Sequence, residues 1–206
     1  LEGILVTHHH ADHQGGIAEL TARWQPSVYA PGNESITGCT DPLRGGESID
    51  VLDQTISVMA VPGHTLGHLA YAGPGILFCG DTLFGAGCGR LFEGTPAQMS
   101  AALDSIAGMP DDTLVYCAHE YTEMNMRFAL AVEPGNTALQ ARYKKVAALR
   151  AANLPTVPLL LGEEKATNPF LRCNETAVIE AGLQHGAVNR GKIKIFAAIR
   201  GWRNSF

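Results

Sequence analysis

Up to about residue 119 the chain alternates short apolar runs with Gly, Pro and Asp, and beyond it apolar residues recur every three or four positions. The first pattern predicts strands at Gly3 to Thr7, Val28 to Ala30, Thr55 to Val61, Leu69 to Ala72, Gly75 to Cys79 and Leu114 to Cys117. Each is short and rich in Val, Ile, Leu or aromatic residues, which suit a pleated, buried surface. One helix is expected within this half, between Gly94 and Gly108. Thr95 suits its cap, Pro96 its first position, and Gln98 completes a capping box, with Met99, Leu103 and Ile106 on one face. Further on, Leu139, Tyr143, Val146 and Leu149 form an apolar stripe from Thr137 to Ala152, and Asn174 is placed to cap a helix ending near Gly186. The chain therefore divides near Glu120 into a strand-rich part, 1–119, and a helical part, 120–206. With no internal repeat, low-complexity tract or Gly/Ser linker, the two are expected to pack directly against each other.

Composition narrows the function classes. The 206 residues are 46% hydrophobic and 17% charged, enough to bury a core and too apolar for a disordered chain. The net charge of -5, without Lys/Arg clusters, argues against nucleic acid and against a polybasic membrane surface, because both need concentrated positive charge. A small-molecule partner is expected, and a monomer. Gly, Pro or a charge interrupts every apolar run before the roughly 18 residues that span a bilayer. The five cysteines are odd in number, scattered and without a CxxC pair, which favours a reducing compartment, the cytoplasm. Leu1 lies inside a strand-like run, so the sequence reads as a piece or processed form of a longer chain.

The chemistry is concentrated in Thr7-His8-His9-His10-Ala11-Asp12-His13, directly after the apolar run Ile4 to Val6, where five metal-competent side chains crowd six positions. In an extended segment His8 and His10 project to one side, and the turn that follows carries Asp12 and His13 to a neighbouring point. Imidazoles packed this closely repel when protonated and gain most when neutral on a metal. Three other segments share one grammar, an apolar strand that delivers a ligand-type residue at its C-terminal end: Pro62-Gly63-His64, Gly80-Asp81 and Ala118-His119. Each is weak alone, since a His after a strand or a Gly-Asp turn is commonplace. Together with the histidine cluster they converge on one sheet edge, where sites form. His8, His10 and His64 suit one ion, and Asp12, His13 and His119 a second, with Asp81 able to bridge and room left for a shared water. The N/O donor set suits Zn, and equally Fe or Mn. His68 is expected to support His64 by hydrogen bonding, and His9 to be structural or outward-facing.

The H-x-H-x-D-H run with the later His, Asp and His resembles the metallo-β-lactamase superfamily. The stretches Gly80-Asp81-Thr82-Leu83-Phe84, Gly87-Cys88-Gly89-Arg90, Cys117-Ala118-His119-Glu120-Tyr121-Thr122, Val132-Glu133-Pro134-Gly135-Asn136 and Asn168-Pro169-Phe170-Leu171-Arg172 are similar to the glyoxalase II family within it. That resemblance implies an α/β fold, the metallo-β-lactamase αβ/βα sandwich short of its first strands, with a C-terminal helical domain. A metal-binding domain would span 1–119 and a glutathione-binding domain 120–206. It implies substrate contacts at Arg90, Phe92, Tyr121, Arg200 and Arg203, since guanidinium groups meet the carboxylates of glutathione with paired, charge-assisted hydrogen bonds. Many members of that family have Lys at the positions of Arg90 and Arg203 and Tyr at that of Phe92, so here a hydroxyl contact is lost. They also carry a further segment before the histidine motif, whose absence would leave an exposed sheet edge and apolar face.

The implied reaction is two-metal hydrolysis of S-D-lactoylglutathione to glutathione and D-lactate, with Asp12, Asp81 and His64 at the reacting centre, in methylglyoxal detoxification. The alternatives from the sequence are a glutathione persulfide dioxygenase with one iron and a non-catalytic metal-binding fragment. A β-lactamase lacks its metal-ligating Cys here, and an RNA-processing nuclease conflicts with the negative charge.

Overall fold

The computed structural model describes residues 1–206. In chain order the elements of the first part are β1 (Gly3–Leu5), α1 (Ala11–Gln14), α2 (Ile17–Trp24), β2 (Ser27–Pro31), β3 (Asp41–Leu43), β4 (Ser48–Val51), β5 (Gln54–Ala60), β6 (Leu69–Gly73), β7 (Ile76–Gly80), β8 (Leu83–Phe84), β9 (Gly87–Cys88), α3 (Pro96–Ala107) and β10 (Leu114–Cys117). Then follow α4 (Thr122–Val132), α5 (Thr137–Ala151), β11 (Leu159–Leu160), α6 (Leu161–Thr167), α7 (Thr176–Gln184) and α8 (Lys192–Ser205).

A three-stranded parallel sheet, β1-β2-β3, faces a six-stranded sheet ordered β11-β10-β7-β6-β5-β4, in which only β7 and β10 pair in parallel. The alternation of side chains along each strand builds a core on either face. From β5 and β6, Ile56, Val58, Leu69 and Tyr71 pack toward Leu5, Tyr29 and Leu43 of the smaller sheet. Ala70 of β6, Leu77 and Cys79 of β7 and Val115 of β10 point the other way, into a larger core with Met99, Leu103 and Ile106 of α3 and Ile195, Phe196 and Ile199 of α8. On the outer face of the smaller sheet, Ile17 of α2 packs on Val6, Val28 and Ala30. The layers are thus helix, sheet, sheet, helix, the sandwich that the resemblance implied. No helix is long and apolar enough to cross a membrane.

Thr95 caps α3 with its side chain on the Gln98 amide, and Gln98 reaches back to the Thr95 amide, as the sequence predicts. Asn174 does not cap α7. Glu175 holds that position without a side-chain hydrogen bond, so this helix starts by packing, with Val178, Ala181 and Gly182 buried. The structure adds β3, β4, β8, β9, β11, α1, α2, α4, α6 and α8 to the expected elements: Pro42 and the charged flanks hide β3 and β4, the strands β8, β9 and β11 are pairs of residues, and α2 buries Ile17 alone. β1 pairs with β2 only, and Phe78 of β7, 39% exposed, packs on Tyr116 of β10 across an open face.

The helical half reaches into the first through a buried polar cluster. Glu164 of α6, fully buried, pairs with Arg142 of α5 and accepts from the Ala86 amide (2.9 Å) and the Asn168 side chain (3.0 Å). Asn168 also donates to the carbonyls of Phe84 (3.2 Å) and Gly87 (2.9 Å), and Arg142 donates to Thr167 (2.7 Å). These bonds hold the β8–β9 hairpin, which stands between Asp81 and Arg90. Substituting Arg142→Leu strands the Glu164 carboxylate in the core. A loss of about 3–5 kcal/mol is expected, seen as a Tm lower by roughly 10 °C. A fall of only a degree or two would show that the pair does not carry the hairpin.

Candidate metal centre

β5 and β7 both run antiparallel to β6, and β10 runs parallel to β7, so the C-terminal ends of β5, β7 and β10 lie at one edge of the larger sheet. The loops leaving those ends carry His64, Asp81 and His119. The segment after β1 joins the same edge through the Leu69 amide, which donates to the Thr7 carbonyl (2.9 Å), while buried Tyr71 donates to the Val6 carbonyl (2.7 Å). Asp12 and His13 ride on the single turn α1. Gly80 turns the chain into Asp81 with φ +51, and a Cβ there would sit 2.6 Å from Thr7 Oγ1 and 2.8 Å from His68 Cε1. Only glycine meets both demands.

The side chains form two groups with one carboxylate between them. His8 Nε2 and His64 Nε2 each lie 3.0 Å from His10 Nδ1. Asp12 Oδ2 lies 3.6 Å from His13 Nε2 and 3.5 Å from His119 Nε2. Asp81 faces both groups, with Oδ2 3.4 Å from His64 Nε2 and Oδ1 3.4 and 3.5 Å from His13 and His119. His13 Nε2 and Asp81 Oδ1 are buried without any hydrogen-bond partner. Lone pairs that converge on a point no proton can satisfy fit a cation, and the N/O donors suit a divalent one.

Electrostatics prepare the nitrogens for that role. Burial, reinforced by neighbouring imidazoles, drives His8 far below the ordinary histidine value, and burial holds His64 at about 4 and His68 at about 3; burial lowers His13 too. All four stay neutral with lone pairs available. Burial pushes Asp81 up to about 6, against the pull of His119. The opposite ring nitrogens are held from outside: His64 Nδ1 donates to the Arg90 carbonyl (2.8 Å), and His8 Nδ1 lies 3.1 Å from Thr7 Oγ1. His68 is fully buried and stacks on His8, and its Nε2 accepts from the Asp81 amide (3.1 Å). Its ring nitrogens therefore meet the Asp81 amide and the Thr82 hydroxyl (3.4 Å), not His64.

The centre opens on a cavity of about 340 Å³ whose lining includes His64, Asp81 and all five residues expected to meet the substrate. Phe92 stands edge-on to His10 and His64, and Tyr121 stacks on His119. Arg200 is anchored by the Cys88 carbonyl (3.1 Å) and Asn204 (2.7 Å), while its buried Nε has no partner. Arg203 reaches Asn125 (3.3 Å), and burial beside Arg200 pulls its guanidinium below its usual value. Two crowded cations with a spare donor favour an anionic ligand. Sequence reasoning missed Asn125 and Asn204 in this wall; each lies four residues after an expected contact, Tyr121 or Arg200, a spacing that places them on the same helical face.

The model of the metallo-β-lactamase superfamily matches residues 1–119, and that of the hydroxyacylglutathione hydrolase C-terminus matches residues 120–206. A hydroxyacylglutathione hydrolase of Dechloromonas aromatica (strain RCB) is 75% identical over all of this chain and 83% of its own length. One from Nitrosomonas eutropha (strain DSM 101675 / C91 / Nm57) is 50% identical over 98% of this chain and 81% of its own. Among solved structures, ETHE1 from Myxococcus xanthus is 29% identical with a TM-score of 0.55, covering 82% of this chain and 75% of its own. The BLEG-1 B3 metallo-β-lactamase, 23% identical over 82% of this chain and 77% of its own with a TM-score of 0.58, shares the fold. Matched along both halves and over its full length, the chain belongs to the hydroxyacylglutathione hydrolase family of the metallo-β-lactamase superfamily.

Proposed function

We propose that the chain hydrolyses S-D-lactoylglutathione and related 2-hydroxyacyl thioesters of glutathione, using two divalent ions, zinc in the first instance, and acting as a cytoplasmic monomer. The observation that carries the reading is Asp81, whose two oxygens face two separate groups of ligand-type side chains at the mouth of an arginine-lined cavity. His8, His10 and His64 would hold one ion, and Asp12, His13 and His119 the other, with Asp81 on both. Ions bound there supply a water acidified toward neutral pH and a Lewis acid for the carbonyl oxygen.

The remaining work falls to side chains. Asp12 is the most exposed carboxylate of the centre, and the oxygen not given to its ion can orient a water and accept its proton as it attacks the thioester carbon. Arg200 and Arg203 bind the glutathione carboxylates, with Arg90 at the rim, and Phe92 and Tyr121 exclude water on either side of the imidazoles. The carbon–sulfur bond then breaks with its electron pair on sulfur. A thiolate is a good leaving group, so neither a Ser or Cys nucleophile nor a strong general acid is required.

The direct test follows loss of thioester absorbance with S-D-lactoylglutathione, with and without chelator, alongside metal content. Chelator-sensitive turnover with two ions per chain is expected; one iron per chain without turnover would point to the dioxygenase chemistry instead. Asp81→Ala is expected to lower kcat by at least about a hundredfold, roughly 2.7 kcal/mol, and a loss within tenfold would end the bridged two-ion reading. Arg200→Ala is expected to raise KM about tenfold or more while kcat changes less, as charge-assisted bonds to substrate contribute about 1.5–3 kcal/mol.

Acid should destabilise the metal-free protein. Its unfolded histidines take up protons near 6.5, while His64 and His68 in the fold resist until about 4 and about 3, and His8 resists further. The unfolded chain binds more protons over that window, so stability present above 6.5 is lost as pH falls. Asp81, raised to about 6, works in the opposite sense but is one group against several. Melting of chelated protein between pH 7 and 4.5 should therefore show a falling Tm, and a flat or rising profile would contradict the buried neutral imidazoles.

A further inference from the structure

His9 stands between two proposed ligands, yet its ring turns away from both groups and meets a pair of glutamates. Glu34, on the turn after β2, has a side chain only 5% exposed. Its Oε2 accepts from the His9 amide (2.7 Å) and lies 3.0 Å from His9 Nδ1, and its Oε1 accepts from the Gly67 amide (2.9 Å). Glu93 adds a second arm: Oε2 accepts from the Leu66 amide (2.9 Å), and Oε1 lies 3.3 Å from His9 Nε2. Two carboxylates therefore gather one amide from the His8–His10 segment and two from the loop that follows His64. The approach is tight: a Cβ on Gly67 would fall 2.5 Å from Glu34 Cγ and 2.4 Å from Asn33 Oδ1.

The reason such a clamp matters lies in the chain's connectivity. His10 and His64 are 54 residues apart and sit on separate loops, so nothing covalent fixes the spacing of their nitrogens, whereas an ion accepts deviations of only about 0.2 Å. We propose that Glu34 is a positioning residue for the candidate metal centre: by holding the His9 and Gly67 amides on one carboxylate, it sets the spacing of His8 and His10 against His64. This rests on the ligand assignment proposed above. Glu34 touches neither the cavity nor any proposed ligand side chain; it acts through backbone. The carboxylate form is essential, because each oxygen accepts from a different N–H. In Glu34→Gln the amide NH2 must face one of those donors whichever way the side chain turns.

Zinc affinity, measured by competition with a chromophoric chelator on the whole chain, tests this in the unsubstituted protein, Glu34→Gln and Gly67→Ala, with KM and kcat taken at saturating zinc. Gly67→Ala keeps the carboxylate but forces it aside, so it reports on the clamp even if the first variant folds poorly. Both substitutions are expected to weaken zinc binding by about ten- to a hundredfold with KM unchanged. Unchanged zinc affinity in the folded variants, or an effect confined to KM, would overturn the proposal. If the unsubstituted protein binds no zinc, the ligand assignment falls and this proposal with it; tight binding shared by all three proteins removes this proposal alone.

Discussion

Seven ligand-type side chains whose lone pairs face one another are an arrangement that no folded chain adopts for its own stability. Buried imidazoles that cannot protonate and a carboxylate oxygen without a donor each carry a desolvation penalty that intramolecular hydrogen bonds leave uncompensated. The cost is local, and the scaffold around it is correspondingly overdetermined. Gly80 has no room for a Cβ, Tyr71 ties the segment before the motif, the Arg90 carbonyl holds His64, and His68 holds the backbone of Asp81. A divalent ion in each group would convert the same repulsion into binding, so the rigidity of the edge and the chemistry of the site have one cause.

The second half of the chain completes what the first cannot. The large core draws on both sides of Glu120, with Phe128, Phe170, Phe196 and Ile199 meeting Leu77, Cys79 and Met99. Below the cavity, Glu164, Asn168 and Asn125 bond to backbone groups of the β8–β9 hairpin. That hairpin joins Asp81 to the Gly89-Arg90 turn, whose carbonyl supports His64. Packing of the helices therefore reaches the centre through two covalently adjacent steps, and the arginines of α8 are carried by a helix packed into the same core as the strands that bear the imidazoles.

Much of this was legible in the sequence because the signals are local. The capping box at Thr95 and Gln98 depends on residues three apart, and the strand-then-ligand grammar around His64, Asp81 and His119 depends on an apolar run beside its loop. The six expected strands, β1, β2, β5, β6, β7 and β10, read correctly to within two residues. What escaped was information spread across distant segments. Nothing near Glu34 or Glu93 in sequence marks the amides that donate to them. His68 read as a partner of His64 because the two are neighbours in the chain, whereas the strand register carries it beneath Asp81. Asn174 had the right chemistry for a cap, but packing of Val178 and Ala181 started the helix one residue later.

The distribution of charge bears on what enters the cavity. The chain as a whole carries -5, yet the cavity wall presents Arg90, Arg200 and Arg203 with no acidic side chain beyond Asp81 in its lining. Two divalent ions set against the carboxylates of Asp12 and Asp81 would leave the centre cationic as well. A concave cationic spot on an anionic body focuses field lines into its mouth and raises the local concentration of small anions. The anionic body around it disfavours polyanions, because a nucleic acid or an anionic membrane must approach the whole surface. The same charges that would bind a doubly carboxylated substrate thus favour a small anion over a large one, before any atom of the ligand touches the protein.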